Sequence, residues 1–264
     1  MIILGKNKAF TLAEVLITLG VIGIVAALTL PNMIANHRKK VVAVQLEKSY
    51  AELNQVISMA IAEHGDPSGW DYYGKGDTYG ENDILEQWVN TYMTPYISNI
   101  AAKGKCTVTK CFGIYGYYSP DYDASSNSAN PRMPMYMIVK GGSSSIAWGV
   151  SRFPGVYSYA TIVHVYLKNP PPPIWPRNGK DVFTFIFDRR EKNPRFRPYI
   201  PHDYNPPVNY VYRNFTRDDL LNPRENAACQ TGAKDWAYYN AGEACSALIM
   251  VDGWKINDDY PFKF

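Results

Sequence analysis

Charge is scarce in this chain and close to balance. Lys and Arg number 27 against 24 Asp and Glu, a formal net charge of +3, and charged residues make up only 19% of the sequence. So small an excess gives no strongly basic surface, and no nucleic acid is expected among the partners. Four cysteines in 264 residues are too few for a disulfide-dense miniature fold, but they suit two bridges in an exported domain. Signatures of chemistry are missing as well. There is no G-x-x-x-x-G-K-[ST] phosphate loop, no G-x-S-x-G elbow and no H-E-x-x-H helix. His37, His64, His164 and His202 are scattered, and none adjoins an obvious Ser or Cys nucleophile. The chain is therefore not expected to be an enzyme, and no cofactor or metal is expected. Long apolar runs are absent too, with one exception.

That exception is Phe10 to Leu30, in which Glu14 is the only charged residue. As a helix the run is about 31 Å long, the thickness of bilayer hydrocarbon. A cleaved secretory signal fits poorly. Its small-residue cleavage site should follow a shorter apolar stretch, whereas here Lys6, Lys8 and the small residue Ala9 all precede the run. Glu14 also argues against a plain anchor, because an ionisable side chain within a spanning helix costs a few kcal/mol unless it finds a partner or the interface. In a helix beginning at Phe10 it would lie in the first turn, near unpaired backbone N–H groups and the positive end of the dipole. Snorkelling to the headgroups remains the bland alternative.

The order Lys8-Ala9-Phe10-Thr11-Leu12-Ala13-Glu14-Val15 resembles the N-terminal processing motif of type IV prepilins and type II secretion pseudopilins. In that family a short basic leader ends in a small residue, the mature chain opens on Phe, and Glu follows four positions later. Ala9 stands where Gly is usual. The resemblance implies that prepilin peptidase cuts between Ala9 and Phe10 and that Phe10 is N-methylated. It further implies that Glu14 meets the Phe10 amine of a neighbouring subunit during assembly. The implied partners are prepilin peptidase, other pilin or pseudopilin subunits, an inner-membrane assembly platform and membrane lipid. The implied location is the bacterial inner membrane, crossed once with the N-terminus inside, and then an extracytoplasmic filament. The charges flanking the run do not set orientation independently, since Lys6 and Lys8 on one side balance Arg38, Lys39 and Lys40 on the other.

Beyond the apolar run, Ala13, Gly20 and Ala27 recur every seven positions, a small-residue stripe of the kind that lets helices approach closely in lipid. Pro31 is expected to kink or locally melt the helix. Leu46, Tyr50, Leu53, Ile57 and Ile61 then form an amphipathic stripe that should pack on a sheet, ended by Gly65 and Pro67. The cluster His37-Arg38-Lys39-Lys40 reads as a solvated or headgroup-contacting patch.

From Gly65 onward the chain reads as strands and loops, in keeping with 14% aromatics and 38 Gly plus Pro. A short helix is predicted near residues 83–96. Strands are predicted at Met135–Val139, Ile146–Val150, Ile162–Leu167 and Val182–Phe187. Pro170 to Pro173 with Pro176 reads as a stiff connector, and proline-rich residues 193–224 as a surface excursion. Of the three connectivities open to four cysteines, local pairing of Cys106 with Cys111 and of Cys229 with Cys245 closes the smallest loops. The second loop also resembles the C-terminal disulfide loop of pilins. Asp121, Asp123, Ser125 and Asn127 alternate like the start of a calcium loop, but Ser126 and Arg132 occupy its Gly and Glu positions, so a polar loop is expected. Trp70, Tyr72, Tyr73 and Tyr79 could stack on sugars or bases, or simply anchor a loop.

The expected architecture is α+β and pilin-like, with a long N-terminal helix packed on an antiparallel sheet with long loops. Its parts are a leader (1–9), a transmembrane helix (10–30), an amphipathic continuation (31–64) and an extracytoplasmic domain (65–264). The expected function is a structural subunit, minor or specialised, of a type IV pilus or type II secretion pseudopilus. The alternative is a singly anchored extracytoplasmic ligand-binding protein or enzyme.

Overall fold

A single helix, α1 (Leu12–His64), runs for 53 residues, about 80 Å, before Gly65 closes it with its N–H on the Ile61 carbonyl at 2.9 Å. The computed structural model describes residues 11–70, 82–107, 134–141, 146–152, 160–167, 179–189, 191–200, 216–221, 229–230, 242 and 244–264. The helix passes through Pro31 without interruption, so the locally melted turn expected there is not present. Proline removes one backbone donor, but apolar helix formers on both sides carry the helix past it.

Among the described residues six strands follow: β1 (Ile100–Thr107), β2 (Pro134–Lys140), β3 (Ala147–Arg152), β4 (Ala160–Tyr166), β5 (Val182–Asp188) and β6 (Phe196–Pro198). They form one antiparallel sheet in sequence order, each strand beside its successor. Among the described residues three further α-helices accompany it: α2 (Asn82–Tyr92), α3 (Arg217–Leu221) and α4 (Cys245–Val251). The fold is α+β and pilin-like.

Register fixes the core. Ile138 pairs with Trp148, Trp148 with Val165, and Val165 with Phe183, which sets one apolar face across four strands. That face joins Leu46, Leu53, Val56, Ile57 and Ala60 of α1, Trp88 and Val89 of α2, and Leu248 and Ile249 of α4 in one cluster. The stripe predicted from the sequence is thus the core-facing side of α1, with Tyr50 and Ile61 at its margin. Each large aliphatic side chain buried there contributes roughly 1.5–3 kcal/mol. Trp70 is only 4% exposed and stacks on Tyr92 with ring centroids 4.2 Å apart, so its ring is part of the core and not a free stacking surface. Tyr72, Tyr73 and Tyr79 lie outside the described residues.

Four elements differ from the sequence reading. β1 and α4 were not expected, and the stretch read as an excursion holds both α3 and an edge strand at residues 196–198. Pro198 is tolerated there because an edge strand does not need every donor. Helix α1 covers that edge chemically. Asn54 Oδ1 accepts from the Phe196 N–H at 2.9 Å, and Asn54 Nδ2 donates to the Phe196 carbonyl at 3.3 Å. One side chain thereby satisfies backbone groups that could otherwise recruit a foreign strand. The connector at Pro170–Pro176 lies outside the described residues.

Every residue of β4 and β5 is buried, so both faces of the sheet are covered there. On the face opposite α1, the His164 ring nitrogen Nδ1 lies 3.1 Å from Thr184 Oγ1. Burial lowers the His164 pKa from 6.5 to about 4, because the charged ring would lose its hydration. The unfolded chain therefore binds a proton that the folded chain refuses. The resulting stability is fully present above pH 6.5 and is lost as pH falls from there towards 4, by about 3 kcal/mol in all. Urea unfolding at about pH 7.5 and about pH 4.5 should register this loss, and His164→Gln should make the profile flatter across the same window.

Candidate functional site: the N-terminal half of the long helix

The first residue of α1 that is buried is Val42. From Leu12 to Arg38 the helix therefore projects free of the domain as a rod of about 40 Å. Its apolar side chains face outward all around, with Leu12 80%, Ile17 67% and Leu28 72% exposed. A helix that is apolar on every side and unpacked along its length has no stable place in water. This one is long and apolar enough to cross a membrane. An added Cβ at Gly20 or Gly23 would meet no atom within 4 Å, so the backbone is open to close approach at both positions.

The rod begins on a reciprocal cap. Thr11 has extended backbone angles and accepts the Glu14 N–H on Oγ1 at 3.2 Å. Glu14 Oε2 in turn accepts the Thr11 N–H at 2.9 Å and the Thr11 hydroxyl at 3.0 Å. Two orphan donors of the first turn are satisfied at once, which fixes where the helix starts and where the carboxylate sits. Glu14 thus lies in the first turn, as the sequence indicated, although the helix opens at Leu12 and not at Phe10. Both Thr11 bonds fall on Oε2; among the described residues Oε1 takes no hydrogen bond. The part played by Thr11 was missed by sequence reasoning, yet T-x-x-E ahead of an apolar run is a readable capping signature. Ala9 and Phe10, the expected cleavage and methylation positions, lie outside the described residues.

At the other end of the rod, Lys39 turns back to the domain. Its ammonium lies 2.9 Å from Asp258 Oδ1 and 3.4 Å from the Asn257 carbonyl. The basic cluster, read as a solvated or headgroup-contacting patch, is therefore corrected at Lys39, which is drawn to the domain; His37, Arg38 and Lys40 are exposed. Arg217 holds the same C-terminal segment from α3, with Nε 2.6 Å from Asp252 Oδ1 and a terminal nitrogen 2.7 Å from Asp259 Oδ1. The hydrogen bond from Arg217 keeps the Asp259 carboxyl below its ordinary pKa.

A disulfide joins Cys229 to Cys245 at the start of α4 and stabilises the domain by about 3 kcal/mol in the chain-entropy view. The pairing expected of Cys106 and Cys111 lies outside the described residues, with Cys106 on β1. The calcium-like residues Asp121, Asp123, Ser125 and Asn127 also lie outside them. Among the described residues no group of three or more His, Cys, Asp or Glu is placed to hold a metal ion. Glu63, His64 and Tyr96 do converge at the far end of α1, where Tyr96 Oη donates to Glu63 Oε2 at 2.9 Å and lies 3.0 Å from His64 Nε2. Loss of hydration and the neighbouring Glu63 push the Tyr96 phenol up to about 12, which leaves it a neutral hydrogen-bond donor.

The free rod and its capped acid place the chain among proteins with a prepilin-type N-terminus. Residues 4–30 match the prokaryotic N-terminal methylation motif. Residues 32–264 match a family of unknown function, DUF6613, and the chain belongs to that family. No curated protein and no solved structure matches the chain.

Proposed function

We propose that this chain is the precursor of a filament subunit, minor or specialised, of a type IV pilus or type II secretion pseudopilus, and that its role is structural and not enzymatic. The observation that carries this reading is the unburied apolar half of α1, which opens on Glu14 within a methylation motif. In the proposed sequence of events, prepilin peptidase cuts between Ala9 and Phe10 and Phe10 is N-methylated. The rod waits in the inner membrane with its N-terminus inside. An assembly platform then moves it into a filament, where helix-to-helix contact replaces lipid contact and Glu14 Oε1 receives the amine of a neighbouring Phe10. Residues 10–30 span, residues 31–64 continue the helix outside, and residues 65–264 form the extracytoplasmic domain.

Intact-mass measurement of the membrane form tests this directly. Loss of residues 1–9 together with one added methyl group is the expected result. Retention of Met1 to Ala9 would leave a singly anchored extracytoplasmic protein in place of a filament subunit.

A further inference from the structure

The cluster His37-Arg38-Lys39-Lys40 has a geometry that its sequence alone does not display. Because α1 is unbroken from Leu12 to His64, each of these residues is rotated about 100° from the last, and together they encircle the helix. Lys39 faces the domain and is held by Asp258. Arg38 and Lys40 lie on the flanks and His37 opposite, all three exposed. No Asp or Glu occurs between Val15 and Leu46, so α1 itself offers Arg38 and Lys40 no carboxylate at this level, and Asp258 is joined to Lys39.

Height along the helix is equally defined. If the spanning stretch ends at Leu30, the Cα atoms of Arg38 and Lys40 stand about 12 and 15 Å above it. Headgroups occupy roughly 5–8 Å on each side of the hydrocarbon. Side chains on a helix lean towards its N-terminus, which here is towards the membrane, and the long stems of Arg and Lys let their charges reach back further. Fully extended towards the membrane, Arg38 would bring its charge to about 6 Å above the hydrocarbon, within the headgroups, and Lys40 to about 9 Å, at their outer edge.

We infer that Arg38 and Lys40 form a collar that binds the phosphates of anionic lipid headgroups in the leaflet beneath the domain, while Lys39 is reserved for holding the domain to the helix. This inference rests on the proposed spanning reading of residues 10–30. The collar keeps the subunit upright at a fixed depth before assembly, and these contacts are surrendered when the subunit leaves the bilayer.

The test uses the full chain in phosphatidylcholine vesicles containing spin-labelled phosphatidylglycerol or spin-labelled phosphatidylcholine, with the motionally restricted fraction of each measured. The expected result is a severalfold preference for phosphatidylglycerol that weakens at about 0.5 M salt. Arg38→Gln with Lys40→Gln should lower the preference to what Lys6, Lys8 and the amino terminus sustain at the opposite leaflet, and Arg38→Lys should retain it. A normal restricted fraction with no preference in the unaltered chain, or a preference unchanged in the double variant, overturns the collar and leaves the spanning helix intact. No restricted lipid of either kind would instead remove the spanning reading itself.

Discussion

Glu14→Ala is expected to leave the chain membrane-bound and its domain folded, while sheared filaments fall by about two orders of magnitude or more. The carboxylate is tolerated in the rod because Thr11 supplies two hydrogen bonds to Oε2, at 2.9 and 3.0 Å. A carboxylate has room for about four acceptor contacts, so a cationic partner can still be taken on Oε1. In a filament that partner would be the amine of the next chain, in a setting of low dielectric. Breaking such a buried pair costs about 3–5 kcal/mol, which is a hundredfold or more in the equilibrium for adding each subunit. Glu14→Gln separates charge from capping. Gln can still accept from Thr11 and complete the cap, so the helix should start normally while growth still fails. Filaments of ordinary yield from Glu14→Gln would show that the charge has no part in assembly. Filaments of ordinary yield from Glu14→Ala would remove the acid from the mechanism altogether.

The features that were legible in the sequence are those set by local chemistry. The apolar length of 10–30, the stripe through Leu46, Leu53 and Ile57, and the β-branched and aromatic runs of β2 to β5 each bear their pattern openly. The N-terminal half of the site was legible for the same reason, since order and spacing in residues 8–15 identify it. What escaped depends on partners far away in the chain. Ile100–Thr107 includes Ala101, Ala102, Lys103, Gly104 and Lys105, poor strand formers that extend because β2 lies alongside them. The run of α4, apolar apart from Ser246, fits a short strand as well as a helix, and packing on β5 with a disulfide at its first residue decides between them. The Lys39 to Asp258 pair spans 219 positions and leaves no mark in either local sequence. Prolines concealed β6, because its one-sided pairing tolerates what an inner strand would not.

That distant C-terminal segment is most sensitive at Gly179, whose replacement by alanine is expected to destabilise the domain by about 4 kcal/mol. Two effects combine there. The backbone has φ +76°, a region that costs a residue with a Cβ roughly 1–2 kcal/mol. The new Cβ would also stand 2.6 Å from Cys245 Sγ and 2.6 Å from a ring carbon of Phe262, neither of which can withdraw cheaply. Cys245 is fixed by its bond to Cys229, and the Phe262 ring packs beside Tyr260, whose hydroxyl donates to the Gly179 carbonyl at 2.5 Å. Gly253 isolates the first effect, since it has φ +69° but a Cβ there meets nothing within 4 Å. Gly253→Ala should therefore cost only about 1–2 kcal/mol. Urea midpoints of the two variants decide the matter, and equal losses would show that the disulfide and the aromatic tail are not tightly packed against Gly179. A loosened tail would also release Asp258 from Lys39, so Gly179→Ala should free the base of the domain from the rod as well as lower its stability.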